Sequence, residues 1–177
     1  MAHTFSVNLA GTQETPPNAS AATGTGMLTW DATANTLTYE FTVKGLFYGQ
    51  VTGMQFHSSA AETVGAVAYL PGAVAFGQLN PAQDIGGKSN PTQDKGDFKT
   101  IMNPNGSWTV QGTWDLTDPA TIPITNFASE LTAATPPPAT PPPAGSSMGG
   151  SSVPLYWNVS TITFPTGEIR GQLVPVT

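Results

Sequence analysis

The sequence predicts an all-β protein, an antiparallel Greek-key β-barrel or sandwich of about eight strands with long loops. Three observations favour this class. Short segments of alternating apolar and polar residues recur along the chain, and glycine, proline or asparagine turns separate them. The polar residues are mainly threonine, serine, asparagine and glutamine, which suit strands and turns better than helices. A single short segment, residues 124–131 (ITNFASEL), is a candidate helix.

The predicted strands follow in chain order. The first two are residues 4–9 (TFSVNL) and 26–32 (GMLTWDA). After a turn at Asn35, residues 36–46 (TLTYEFTVKGL) alternate most regularly, because every second residue from Leu37 to Val43 is apolar. This pattern is typical of an antiparallel strand with one buried face. The other predicted strands are residues 50–59, 65–72, 106–116, 154–164 and 167–176.

Two irregular regions interrupt what we expect to be a single domain spanning residues 1–177. Residues 72–100 form a long loop with a short duplication, NPAQD followed by NPTQD. Residues 132–153 form a second loop, rich in proline, glycine and serine, that is inserted between two strands. Because loops of this length within a compact domain are uncommon and often functional, both are candidate sites of partner contact.

Charge and cysteine content exclude several classes of function. The formal net charge is −6 with five basic residues, so no basic patch for nucleic acid or an anionic membrane surface is expected. The absence of cysteine removes disulfides, thiol nucleophiles and thiolate metal sites. No apolar run reaches the ~20 residues of a transmembrane helix. No signal peptide precedes the first strand, so a secreted protein would have used a leader that this chain lacks.

Several motifs occur in a recognisable order along nearly the whole chain. They include LAGTQETPP (residues 9–17), NTLTYEFTVKGL (35–46), GQVTGMQFH (49–57) and YWNVSTITFPTGEIRGQL (156–173). Together they resemble the CHRD domain, a module named after chordin and found in many bacterial secreted proteins. The resemblance implies a Greek-key barrel similar to that of copper/zinc superoxide dismutase. It also implies a secreted or periplasmic location and no general catalytic activity.

The resemblance further implies a degraded metal site. In many microbial members of the family, a His-x-His pair on one strand and a histidine on a later strand could hold a metal. In this chain those positions are Gln55, His57 and Ser160. Copper and zinc sites take three or four nitrogen, sulfur or carboxylate ligands, and an amide or a hydroxyl is a poor substitute. We therefore interpret His57 as a structural hydrogen-bonding residue, with a metal ligand as the alternative.

The sequence offers two further candidate metal sites. His3, with the terminal amine and two backbone amides, matches a square-planar Cu(II) or Ni(II) arrangement. No cofactor is expected, and copper is the alternative. Calcium would use Asp84, Asp94 and Asp97 of the duplicated loop. Their spacing differs from that of an EF-hand loop, so they are interpreted as turn caps that are also available to a partner.

The remaining candidates are charged and aromatic. Glu168 and Arg170 lie on one face of the last predicted strand and are expected to be structural. Phe47 and Tyr48 follow a strand end and are candidates for a ligand or partner surface. The tryptophans are expected in the core, with an exposed sugar-binding or apolar platform as the alternative: Trp30, Trp108, Trp114 and Trp157.

These features favour a non-catalytic module, secreted or at the cell surface, with a binding or structural role. Its expected partner is an extracellular protein or matrix component. No G-x-S-x-G motif occurs, and a serine triad would have to use His3 or His57. Two alternatives stay open. One is a copper-binding or redox protein built on the degraded histidine site, and the other is a carrier of a small apolar ligand.

Overall fold

The computed structural model describes residues 2–14, 16–46, 50–58, 99–116, 124–136, 153 and 155–176, without the side chains of residues 55, 58, 99 and 100. Within these ranges the chain forms an antiparallel sheet. Its strands are β1 (Ala2–Ala10), β2 (Thr23–Asp31), β3 (Thr36–Lys44), β4 (Val51–Ser58), β5 (Lys99–Met102), β6 (Trp108–Trp114), β7 (Leu155–Thr161), β8 (Ile169–Gln172) and β9 (Val174–Pro175). The helical elements are two 3₁₀ helices, Gly11–Gln13 and Ile124–Phe127, and α1 (Ala128–Ala133).

The strands pair in the order β4-β7-β8-β1-β2-β3-β6-β5, and β9 also pairs with β1. The first three strands form a meander in which nine residues of each strand are paired. At the β2–β3 turn, Asp31 Oδ1 accepts hydrogen bonds from the backbone N–H of Thr33 at 2.8 Å and of Ala34 at 3.2 Å. Asn35 then takes a φ of 54°, which asparagine tolerates in turns. The turn fixes the register, and the register places the buried apolar residues of β2 and β3 on one face, while Met27 lies on the other.

The sheet curls around a core of aromatic rings. The Trp157 ring on β7 stacks on Phe41 of β3 with 4.5 Å between centroids. The Phe56 ring on β4 stacks on Trp114 of β6 at 5.6 Å. Neither pair of strands is adjacent in the sheet, so the rings meet only because the sheet curls toward closure. All four tryptophans are at most 1% exposed, which confirms that they belong to the core.

Residues 124–133 cover the core near the ends of β2 and β6. Ile124 and Leu131 are fully buried, and the Phe127 ring lies 5.9 Å from the ring of Trp114. Trp30 Nε1 donates a hydrogen bond to Thr132 Oγ1 at 3.0 Å, which satisfies a buried indole N–H. The segment therefore contributes apolar contacts to the aromatic core and a hydrogen-bond acceptor to Trp30.

The structure confirms the all-β antiparallel prediction and shows helical turns at the predicted segment, residues 124–133, with a further 3₁₀ turn at Gly11–Gln13 that was not predicted. Both predicted long loops overlap a regular element at one end, and the last predicted strand, residues 167–176, is divided into β8 and β9. Residues 99 and 100, predicted as loop, begin β5 because their backbones pair with Gln111 and Val110 of β6. Residues 132 and 133, predicted to open the second loop, end α1, where Thr132 is held by Trp30. The predicted strand at 65–72 and most of both long loops lie outside the described residues. No described helix has the length and hydropathy needed to cross a membrane.

Candidate functional site

Side chains on the outer face of β4, β7 and β8 form a buried polar cluster. Directly paired residues point to the same side of a sheet, and the register pairs His57 with Tyr156 and Asn158 with Arg170. Tyr156 and Asn158 lie two residues apart on β7, so both pairs share the face opposite to the core ring of Trp157. We call the following residues the outer cluster, of which all but Arg170 are buried: Glu14, His57, Tyr156, Asn158 and Arg170.

Residues just after β1 connect this cluster to the other end of the chain. Glu14 Oε1 accepts a hydrogen bond from Asn158 Nδ2 at 3.0 Å. Asn18 Nδ2 donates to the carbonyl oxygens of Gly167 at 3.2 Å and Glu168 at 3.0 Å. The two segments lie 144 to 150 residues apart in the sequence. These bonds attach the loop after β1 to the β7–β8 hairpin.

The carboxylate of Glu168 extends the same connection. Ser20 Oγ donates to Glu168 Oε1 at 2.6 Å, and Thr161 Oγ1 donates to Glu168 Oε2 at 2.6 Å. Each oxygen of the Glu168 carboxyl group therefore accepts a hydrogen bond from a hydroxyl group. We call this set of contacts the terminal joint, formed by Glu14, Asn18 and Ser20 with Asn158, Thr161, Gly167 and Glu168.

Gly167 lies at the centre of the terminal joint. Its φ is +146°, a conformation that residues with a Cβ rarely adopt. A Cβ at this position would lie 2.6 Å from both carboxyl oxygens of Glu14 and still closer to Asn158 Nδ2. The Glu14–Asn158 pair therefore packs directly on the Gly167 backbone, and the site requires glycine.

Burial sets the protonation of Glu14. Loss of water contact raises the pKa of its carboxyl group from 4.5 to about 7, although the positive charge of Arg170 acts in the opposite direction. At neutral pH the group is therefore divided between its neutral and charged forms. Both forms accept the hydrogen bond from Asn158.

Three side chains of the outer cluster are stacked on one another. The His57 ring lies 5.1 Å from the Tyr156 ring with 14° between their planes, and Arg170 Cζ lies 3.7 Å from the Tyr156 centroid. Burial, with a smaller contribution from Arg170, lowers the pKa of His57 to about 4. Burial also raises the pKa of Tyr156 to about 12. Both rings are therefore neutral at pH 7, and the guanidinium supplies the charge of the stack.

The outer cluster does not fit a transition metal. The motif positions supply one imidazole from His57, an amide at Gln55, whose side chain is not described, and the hydroxyl of Ser160. That hydroxyl donates to Asn158 Oδ1 at 3.2 Å, and the Arg170 charge would oppose a cation nearby. Among the described residues, no group of three or more His, Asp or Glu side chains could hold a metal. His3 is on the core-facing side of β1 with Phe5, opposite to the face of His57, so the two histidines are not brought together.

The other predicted site residues fall into two groups. Glu168 and Arg170 are both held by other side chains, Glu168 by two hydroxyl donors and Arg170 by the Tyr156 ring. The remaining candidates lie outside the described residues: Phe47, Tyr48, Asp84, Asp94 and Asp97.

Replacing Glu14 with glutamine should remove a dependence of stability on pH. Since folding raises the pKa of Glu14, its contribution is fully present below pH 4.5 and is lost as pH rises through 7. We expect Glu14→Gln to gain about 2 kcal/mol relative to the wild-type chain between pH 5 and pH 8. Urea unfolding of both proteins at the two pH values measures this. Glu130→Gln is the control, since that exposed carboxyl has a lowered pKa, and parallel pH profiles for Glu14→Gln and wild type would contradict the assignment.

Sequence reasoning missed the terminal joint, although the signal was present. Glu14 and Asn18 lie in or beside the first motif quoted above, and Asn158, Gly167 and Glu168 lie in the last. The two motifs were treated as separate pieces, because nothing local indicates that side chains from opposite chain ends bind each other. A glycine directly before an acidic residue in a hairpin turn was the available clue.

Comparison with known proteins identifies one family. The family model described as the CHRD domain matches residues 5–173, which includes every strand from β1 to β8 apart from the first residues of β1. No curated protein and no solved structure gives a match to the chain.

Proposed function

The chain belongs to the CHRD domain family, and from this membership we propose that it is a non-catalytic β module that binds or organises other molecules outside the cytoplasmic membrane. The proposal places the protein in the periplasm, at the cell surface or in the surrounding matrix. Its partner there is an extracellular protein or matrix component.

The observation that carries the proposal is the structural role of the family motifs in this fold. The residues of the first and last motifs bind one another, as in the bonds from Asn158 to Glu14 and from Asn18 to Glu168. Their polar groups are therefore used to hold the scaffold. A motif with this role supports a rigid platform whose recognition elements lie on its loops and faces.

The two alternatives have less support. A copper-binding or redox function would use His57, whose ring is stacked on Tyr156 beside a guanidinium. A carrier of an apolar ligand would need space inside the sheet, where the rings of Phe41, Phe56 and Trp157 contact one another.

A retention experiment tests the proposal. The folded chain is mixed with insoluble cell-envelope material from its native source, and the bound fraction is measured with and without excess unlabelled protein. Saturable retention that the unlabelled protein competes away is the expected result, together with recovery of the native protein outside the cytoplasmic fraction. Recovery only with the cytoplasm, or no competable retention, would refute it.

A further inference from the structure

The outer face of β1, β2, β3 and β6 carries an ordered array of threonines that the terminal joint and the outer cluster do not use. The register aligns residues from the four strands into three rows. We call these rows the threonine face: Thr4-Thr29-Thr38-Thr113, Ser6-Met27-Glu40-Gln111 and Asn8-Thr25-Thr42-Thr109. With neighbouring strands about 4.8 Å apart, each row spans about 14 Å.

The hydroxyl groups of this face are available to a ligand. Every residue of the face is at least partly exposed. Among its threonines, only Thr109 has a hydroxyl bonded to another described residue, accepting from Asn103 Nδ2 at 3.1 Å. The other threonine hydroxyls are therefore free, within the described part of the chain, to donate and accept hydrogen bonds.

The low, negative charge of the face restricts the chemical class of its partner. Glu40 is the one charged residue in the three rows, whereas roughly a quarter of residues in ordinary domains are charged. A polyanion would be repelled by Glu40 and by the net charge of −6. A protein partner is also disfavoured, because protein interfaces are enriched in aromatic residues and arginine, and this face carries neither. The face is complementary to a neutral molecule with many hydroxyl groups.

The shape of the face fits an extended ligand. Two open depressions lie side by side and share Met27 and Glu40. One, of about 470 Å³, is lined by Thr29, Thr38 and Thr113, and the other, of about 340 Å³, extends the surface to the opposite row. Met27 is 52% exposed between them, and it offers an apolar contact for the C–H face of a sugar ring.

We infer that the threonine face binds a neutral polysaccharide, with the two outer threonine rows bonding its hydroxyl groups and Met27 packing against a ring. The two threonine rows lie on either side of the central row, an arrangement that matches a polymer presenting hydroxyl groups along both of its edges. The inference rests on the proposed function and specifies the chemical class of its partner.

Binding to paired insoluble polymers tests the inference. The wild-type chain is mixed at pH 7 and low salt with amorphous cellulose, insoluble starch and phosphorylated cellulose, and the bound fraction is measured. Retention on at least one neutral polymer, with weaker retention on the phosphorylated one, is expected. Retention only on phosphorylated cellulose would indicate recognition of charge, and failure on both neutral polymers would overturn the inference.

Matched variants locate the binding. Thr29→Val/Thr38→Val removes two hydroxyls but keeps β-branched side chains, and Thr29→Ser/Thr38→Ser keeps both hydroxyls. We expect a dissociation constant raised more than tenfold by the valine pair, at about fivefold per hydroxyl, and less than threefold by the serine pair. Thr163→Val, in an exposed turn outside the face, is the control. Wild-type binding by the valine pair would overturn the inference.

Two further measurements distinguish a failure of this inference from a failure of the proposed function. Thr25→Val/Thr42→Val repeats the test in the other row, and urea unfolding of each variant shows that the fold is intact. If these variants still bind the native envelope material as wild type does, the threonine face is not the contact but the proposed function stands. If the wild-type chain itself shows no competable retention on that material, the proposed function fails.

Discussion

Replacing Gly167 with alanine is expected to lower the free energy of unfolding by about 3 kcal/mol or more. Alanine is strained at a φ of +146°, and its methyl group would overlap the carboxyl oxygens of Glu14 and the amide of Asn158. Relief of the overlap requires those side chains to separate. The cost therefore combines backbone strain with the loss of a buried hydrogen bond.

Gly106 provides a matched control for this prediction. It also has a positive φ, +77°, but a Cβ there would meet nothing within 4 Å. Gly106→Ala should therefore show strain alone, about 1 kcal/mol. Urea unfolding of both variants measures the difference. Equal losses at the two positions would mean that the terminal joint tolerates a methyl group, and the described packing of Glu14 on Gly167 would then be wrong.

Replacing Trp157 with alanine is expected to cost 3–5 kcal/mol of stability, or a midpoint lower by about 10 °C. The side chain is fully buried and contacts Phe41 at 4.5 Å and Phe56 at 4.6 Å between centroids. Its removal leaves a large apolar cavity. Since cavities of this kind accept small aromatic molecules, indole should raise the thermal midpoint of the variant.

The wild-type chain is the essential comparison in the indole experiment. Its interior is filled with rings, so indole should leave its midpoint unchanged. A comparable rise in the wild-type midpoint would revive the carrier hypothesis, because it would reveal space for an apolar ligand. Ile162→Ala, at a side chain that is 67% exposed, should cost less than about 0.5 kcal/mol and confirms that burial determines the loss.

The alternation of apolar residues predicted the strands well because it reflects a local rule. In Thr36–Lys44 every second side chain faces the core, so the burial of Tyr39 and Phe41 could be predicted from spacing alone. Strand β5 was missed because an apolar–polar alternation cannot be recognised in only four residues and because Ile101 and Met102 are both exposed. Its existence depends on pairing with β6, which is a tertiary effect.

The site was less predictable than the fold, for a physical reason. The interpretation of Arg170 as structural came from its charge, but its contact with the Tyr156 ring depends on the alignment of β8 with β7. The threonine rows could not be predicted for the same reason, because they too depend on the alignment of strands. Thr25 and Thr42 are ordinary strand residues in the sequence, and only the register places them side by side with Thr109.

The terminal joint also determines when the domain can fold. Strand β1 lies in the middle of the sheet, with β8 and β9 on one side, and the joint links Asn18 to a residue 150 positions away. Contacts so distant in the sequence form slowly and cannot form before the final hairpin is available. A chain still emerging from the ribosome would therefore remain without its complete core until the β7–β8 hairpin appears.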